Sequence, residues 1–403
     1  MARGKRILAA TYHSYIDSSS GAAISLRDMM EALARRGWEV RVLSGPQLDF
    51  EKAISPESLL RQQGIRPRRY RASHRGESYS LLLFRGGGVD VAIWTPDRRD
   101  AEPNANVGAA WLGTFNELTE AWRPDVVVTY GGYWMTQPML QTARRFGATT
   151  VFYLCNFAYT DRSLFDGVDV TVVLSQYQSD WYSERLGITT AVVPPLMPRD
   201  RCLTERRDGP GYVTFVNPQP HKGSFVFAKI VEELSRVRPD IRFLVVESRA
   251  SADSLSATGA QWSATSVFRM PNTAHPRDYL KETKVLLVPS VWQESFGRVA
   301  AEALMNGIPV VGSTRGALPE VIGAAGILID LPNWLTVQSR RLPERAEVAE
   351  WIAAIEQLND DPVFYQRYRG LGLRQARRWS EDSVSGRFEE VVSGAIERRS
   401  PTS

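Results

Sequence analysis

Two carboxylates eight residues apart, Glu294 and Glu302, flank a Phe296-Gly297 pair that opens a helical pattern. A glycine at a helix start lets backbone amides come close to a ligand. Those amides carry the partial positive charge of the helix terminus, which suits an anion such as a diphosphate. A carboxylate in the same segment repels phosphate but accepts hydrogen bonds from sugar hydroxyls, as acidic residues do for a ribose. The segment follows an apolar run, Val285-Leu286-Leu287-Val288, that stops at Pro289-Ser290. Ligands sit at the carboxyl ends of parallel strands, so the strand end places both acids where chemistry is expected. Gly307 closes the helix and Pro309 opens the next strand.

A second segment, Phe215-Val216-Asn217-Pro218-Gln219-Pro220-His221-Lys222-Gly223, pairs a strand end with a proline-punctuated loop and a lysine before a glycine. An ammonium group there can neutralise a diphosphate leaving group. Surface placement of Lys222 after an ordinary turn is the plainer alternative.

The elements that must position these groups follow from periodicity. Short apolar runs alternate with amphipathic stretches, the pattern of parallel sheets covered by helices. Strands are expected at 5–11, 39–44, 80–85, 89–94, 125–129, 149–154 and 169–174, with a helix from about Ala22 to Arg36 ended by Gly37. The Arg-Gly-Gly-Gly run between 80 and 94 predicts a hairpin that adds antiparallel strands. The stretch from Pro194 to Gly211 turns to Pro, Arg, Asp and Gly and is read as a linker. Beyond it come strands at 212–217, 241–246, 266–269, 284–288 and 308–312, with helices at 224–237, 276–282 and 297–306. A helical tail from about 346 to 398 is interrupted near Asp360-Asp361-Pro362 and Trp379-Ser380-Glu381. The chain of 403 residues exceeds what one core usually supports. Two doubly wound domains are expected, 1–195 with the returning helix 380–403, and 196–379.

The run Glu294-Ser-Phe-Gly-Arg-Val-Ala-Ala-Glu302, then Asn-Gly-Ile-Pro-Val-Val-Gly, then Gly316-Ala-Leu-Pro-Glu320, resembles the donor-site motif of retaining glycosyltransferases of family 4. The resemblance extends over nearly the whole chain. It implies the GT-B fold: two Rossmann-like domains facing a cleft, an acceptor-binding one first, and a last helix crossing back to it. It implies transfer of a sugar from a nucleotide diphosphate sugar, UDP- or GDP-linked, to a hydroxyl of a glycan, lipid-linked sugar or small molecule, with retention of configuration. Glu294 then contacts the donor sugar, Glu302 the ribose and Lys222 the pyrophosphate. Ser295, Phe296, Gly297 and Arg298 line the donor, and Met270 lies beside the base. Asn217 stands where the family commonly has arginine, which leaves a neutral donor and makes His221 or Arg298 a candidate replacement cation. Gly21, at the end of the first loop, matches one glycine of a glycine-rich element that approaches the diphosphate, although a serine-capped helix start explains it equally well. His13, Tyr130 and Tyr133 are expected at the acceptor, and Asn156 occupies the place of a histidine found in many relatives. A nucleotide-sugar epimerase or hydrolase on the same fold, or a homologue that binds without turnover, are the competing readings.

Composition excludes other classes. Hydrophobic residues at 43% and charged residues at 23% suit a globular enzyme, and a net charge of +4 is too small to imply nucleic acid. Only Cys155 and Cys202 are present, so a disulfide framework is not expected and a reducing cytoplasmic setting is. No cluster has zinc spacing and no Asp-x-Asp closes a strand, so neither a metal nor another cofactor is expected. The arginine-dense segment from Arg61 to Arg75 is read either as a solvated loop or as a contact with an anionic acceptor or the inner membrane face.

Overall fold

The computed structural model describes residues 4–48, 54–97, 103–205 and 211–399. The chain divides into two compact units, the first comprising 1–174, 179–196 and 381–403, the second 175–178 and 197–380. Residues 206–210 of the expected linker and 400–403 of the expected returning helix lie outside the described residues.

The first unit contains β1 (Arg6–His13), α1 (Gly21–Arg35), β2 (Glu39–Gln47), α2 (Pro56–Gln62), β3 (Arg68–His74), β4 (Glu77–Gly86), β5 (Val89–Pro96), α3 (Ala105–Trp122), β6 (Val126–Thr129), α4 (Thr136–Arg145), β7 (Thr149–Leu154), β8 (Val170–Val173), most of α5 (Gln176–Leu186) and β9 (Ala191–Val192). Its sheet runs β3-β4-β5-β2-β1-β6-β7-β8-β9. From β5 to β9 all neighbours are parallel, and β4 alone runs against both of its neighbours. Val126-Val127-Val128 and Thr149 to Leu154 are buried throughout, as strands covered on both faces must be. The hairpin expected at 80–94 is β4–β5, turned by Gly87 and Gly88 at φ +58° and +83°, the left-handed backbone of a two-residue hairpin loop.

Two segments depart from expectation. Residues 68–74, inside the stretch read as a solvated loop, form the edge strand β3, paired with β4 from Arg68↔Leu83 to His74↔Glu77. Backbone pairing onto β4 supplies the order that the polar sequence does not advertise. Between the strands at 89–94 and 125–129, where no element is expected, α3 forms with Asn104 accepting from the backbone amides of Asn106 and Val107 as its N-cap.

The second unit contains α6 (Arg199–Cys202), β10 (Tyr212–Val216), α7 (Ser224–Val237), β11 (Phe243–Val246), β12 (Val267–Met270), α8 (Arg277–Leu280), β13 (Thr283–Val288), α9 (Arg298–Met305), β14 (Val310–Ser313), α10 (Leu318–Ile322), β15 (Ile327–Ile329), α11 (Ala349–Asp360) and α12 (Pro362–Gln375). The six strands are all parallel, in the order β12-β11-β10-β13-β14-β15. Phe215, Phe243, Val285 and Val311 of the sheet pack with Phe227 and Ile230 of α7 and Trp351 and Ile355 of α11.

The last helix, α13 (Glu381–Arg399), belongs to the first unit. Val384, Phe388, Val392 and Ala395 are its buried face, and Trp38 donates its indole N–H to Glu389 at 2.7 Å. Among the described residues, no helix is long and apolar enough to cross a membrane.

Candidate donor site

In the second sheet the strand order reverses between β10 and β13, so the loops leaving these neighbours diverge and open a crevice. Those loops carry Lys222 and Glu294. They meet through backbone: the amides of Val291 and Trp292 donate to the His221 carbonyl at 3.0 and 3.1 Å. Gly223 sits at φ +93°, and a Cβ there would lie 1.9 Å from the Pro289 carbonyl oxygen. Only glycine lets the β10 loop seat against the end of β13.

Around Glu294 the contacts are directional. Lys222 Nζ lies 2.7 Å from Glu294 Oε1, and the buried Ser290 hydroxyl donates to the same oxygen at 2.6 Å. The Ser313 hydroxyl in turn donates to the Ser290 carbonyl at 2.6 Å. Both donors to Glu294 converge on Oε1, so Oε2 is the oxygen left for a ligand. From behind, Gly316 at φ +62° passes so close that a Cβ would lie 2.3 Å from the Glu294 amide nitrogen, and Ala317 donates its amide to the Glu294 carbonyl at 2.8 Å.

Helix α9 starts at Gly297, φ +94°, and α7 starts at Gly223. Neither end has a side-chain cap or an acidic residue in its first turn. Their leading amides are therefore open to an anion. The Phe296 ring is buried edge-on to Trp379 at 5.7 Å, so packing rather than ligand contact accounts for its side chain. The Ser295 carbonyl accepts from the Ser175 hydroxyl at 2.7 Å. Glu320 accepts from the amides of Gln176 and Tyr177, each at 3.1 Å, fastening the start of α5 next to that loop.

Glu302 lies one helical turn beyond Arg298 and is only 3% exposed. Its Oε2 accepts from the Tyr279 hydroxyl at 3.2 Å, and its Oε1 lies 3.4 Å from the Arg298 guanidinium. Arg298 is therefore paired with Glu302. Burial, and then the neighbouring Lys222, hold the His221 imidazole below its ordinary value. A neutral His221 at pH 7 is not a resident counter-charge.

Asn217 adopts φ +63°, its amide donates to the Val246 carbonyl at 2.8 Å, and its Nδ2 donates to Gln219 Oε1 at 3.1 Å. Its Oδ1 is buried without a hydrogen-bond partner. Left-handed backbone costs about 1–2 kcal/mol for most side chains and is tolerated best by Gly, Asn and Asp, which accounts for asparagine rather than arginine here. Met270 ends β12, two strands from β10, where its carbonyl accepts from Glu247.

The first unit shows the same logic at its own reversal, between β1 and β6. His13 at the end of β1 stacks on Tyr130 after β6 (5.3 Å, 15° between planes) and lies 5.1 Å from the Tyr133 ring. Gly131, at φ +103°, lets the His13 ring close in: a Cβ would lie 3.0 Å from His13 Cδ2. Gly21 is the first residue of α1 and faces open space, and its neighbour Ser20 caps the helix through the Ala23 amide. Asn156 follows β7, where its Oδ1 accepts from the Ala158 amide and its carbonyl from the Tyr182 hydroxyl. The sequence reading assigned no role to Ser290 or Tyr279; the only signal was the position of Ser290 at a strand end.

The profile of the family described as "Glycosyl transferases group 1" matches residues 211–358, and that of "Glycosyl transferase 4-like domain" matches 20–166. The chain is 35% identical over 152 residues to a D-inositol 3-phosphate glycosyltransferase from Segniliparus rotundus, a match covering 35% of this chain and 31% of that protein. Among solved structures, the catalytic domain of starch synthase IV from Arabidopsis thaliana, bound to ADP and acarbose, superposes with a TM-score of 0.70 at 11% identity over 98% of this chain and 100% of that one. Anabaena HepE in complex with UDP and glucose gives 0.65 at 16% identity over 97% and 100%. The two profiles together span most of the chain, each on its own sheet, and the chain belongs to the glycosyltransferases of the family-4 type, with the GT-B fold.

Proposed function

We propose that this protein transfers a glycosyl group from a nucleotide diphosphate sugar to a hydroxyl acceptor with retention of anomeric configuration. The observation that carries this reading is the pairing of Lys222 with Glu294 beside two uncapped helix N-termini at the sheet's point of reversal. The diphosphate takes the α7 and α9 amides and the Lys222 ammonium, Glu294 Oε2 accepts a hydroxyl of the donor sugar, and Glu302 accepts from the ribose. As the bond from the anomeric carbon to the diphosphate breaks, the acceptor oxygen bonds to the same face of that carbon. The acceptor proton passes to the departing phosphate oxygen. Positioning and charge stabilisation then supply most of the rate, with the cation role filled by Lys222 and helix termini rather than a divalent ion. The acceptor lies against His13, Tyr130 and Tyr133, with Asn156 and Gly21 near the reacting groups.

UDP- and GDP-sugars incubated with hydroxyl acceptors test this, with the anomeric coupling of the product read by NMR. An α-linked product from an α-linked donor supports the reading. Inverted product, or free sugar released at the same rate without acceptor, overturns it.

The protein is further proposed to contact an anionic membrane face peripherally through the 61–75 segment. Residues 54–80 hold six arginines and two glutamates, a balance equal to the whole chain's +4, so the remainder is neutral. Glu57 pairs with Arg61 and Arg69. Arg66, Arg68, Arg71 and Arg75 are exposed along the edge strand and its flanks, beside Tyr70 at 60% exposure.

A further inference from the structure

The Glu302 carboxylate has one donor on each oxygen. Tyr279 meets Oε2 from within the core and Arg298 faces Oε1 from the helix surface. Tyr279 is itself 4% exposed, and its backbone carbonyl accepts from the Thr283 hydroxyl at 2.8 Å, which ties α8 to the foot of β13. A phenol buried this deeply costs free energy unless its hydroxyl is paired, and a phenylalanine would fill the same space without that cost. Glu302 is the hydroxyl's one hydrogen-bond partner among the described residues. Burial, reinforced by the charge of Glu302, holds the phenol well above its ordinary value, so it acts as a donor at any working pH.

From this geometry we infer that Tyr279 is a positioning residue. It pins the Glu302 carboxylate plane so that the two unused acceptor sites face a pair of vicinal hydroxyls, the ribose diol of the nucleotide. A carboxylate offers about four lone-pair sites, and Tyr279 with Arg298 takes two of them, one per oxygen. Without the phenol, the carboxylate rotates about its terminal bond, a broad torsion with little barrier of its own. The inference rests on the reading of Glu302 as the ribose acceptor.

Isothermal titration of the full chain tests it, with whichever of UDP and GDP binds tighter and with the 2′-deoxy form of the same nucleotide. In the unsubstituted protein the ribonucleotide is preferred by about tenfold, the worth of one hydrogen bond to a charged acceptor. Tyr279→Phe lowers that preference at least about threefold and changes the affinity for the 2′-deoxy form less than about twofold. The preference is a ratio taken within each variant, so a reduced folded fraction cancels, and Tyr279→Met provides a second donor-free side chain should phenylalanine fold poorly. Glu302→Gln separates the two claims. If it abolishes the preference while both Tyr279 variants keep it, the positioning role is wrong and the ribose reading stands. If Glu302→Gln keeps the preference as well, the ribose reading fails and the inference falls with it.

Discussion

The ammonium of Lys222 and the carboxylate of Glu294 are already joined at 2.7 Å in the ligand-free chain, so the cation assigned to the diphosphate must leave a partner to reach it. A glutamine at 294 keeps the shape and removes the competing charge. Nucleoside diphosphate affinity of Glu294→Gln is expected to rise by up to about fivefold, the scale of a partly exposed ion pair. Turnover is expected to fall by about a hundredfold or more, because the acceptor for the donor sugar's hydroxyl is lost. Titration calorimetry beside steady-state kinetics checks both arms. A fall in nucleotide affinity would mean that Glu294 itself helps bind the nucleotide and does not hold Lys222 back.

Glycines in the two loops have opposite roles, which alanine separates. Gly223→Ala places a methyl against the Pro289 carbonyl at a left-handed φ, while Gly21→Ala points into open space at a helix start. The first is expected to cost about 2–4 kcal/mol, from overpacking plus backbone strain. The second is expected to be neutral within about 0.5 kcal/mol. Urea denaturation of the two variants measures this directly. Equal stabilities would show that the Gly223 loop relaxes freely and that the seating of Lys222 is not fixed by Pro289.

Much of this site is readable in one dimension because Glu294, Gly297 and Glu302 lie within a single strand-loop-helix unit. Their spacing alone projects them onto one sheet edge. The groups that hold them are not local. Ser175 reaches Ser295 across 120 positions, Glu320 reaches Gln176 across 144, and Tyr279 reaches Glu302 across 23. No periodicity marks such pairs. Likewise α3 hides because Gly108 and Gly113 weaken its helical signal, yet these glycines are where Trp134 and His74 lie against it. Strand β3 hides because Arg-Arg-Tyr-Arg resembles a solvated loop until β4 supplies its hydrogen bonds.

The His221 imidazole gives the site a pH dependence of definite sign. Its folded value lies below the ordinary one because of burial and then Lys222. A histidine held neutral in the fold while the unfolded chain takes up a proton contributes stability that is full above about pH 6.5 and is lost as pH falls below it. A bound diphosphate reverses the electrostatics and favours the protonated form. Binding is therefore expected to take up a fraction of a proton near pH 6, seen as a dependence of titration enthalpy on the buffer's ionisation enthalpy. His221→Gln should abolish both effects, and buffer-independent enthalpies in the unsubstituted protein would mean that the diphosphate lies too far from this ring to reprotonate it.

The exposed arginines of the edge strand admit a simpler explanation, since charged side chains on a sheet edge deter pairing with other chains. The two roles make different demands. Edge protection needs charge of either sign, whereas an anionic surface needs positive charge. Changing Arg66, Arg68, Arg71 and Arg75 together to glutamate preserves protection and inverts attraction, while glutamine at all four removes both. Each arginine near an anionic bilayer contributes about 1 kcal/mol, so the glutamine set is expected to weaken binding to phosphatidylglycerol vesicles on the order of a hundredfold or more. The glutamate set should abolish it, and added salt should weaken the unsubstituted protein in the same direction. All four positions lie away from Lys222 and Glu294, so transfer to a water-soluble acceptor should be unchanged in both sets. Co-sedimentation with phosphatidylglycerol and phosphatidylcholine vesicles decides between the roles. Should the unsubstituted protein ignore both vesicles while the glutamine set aggregates and the glutamate set stays monomeric, the arginines serve edge protection and the membrane contact is wrong.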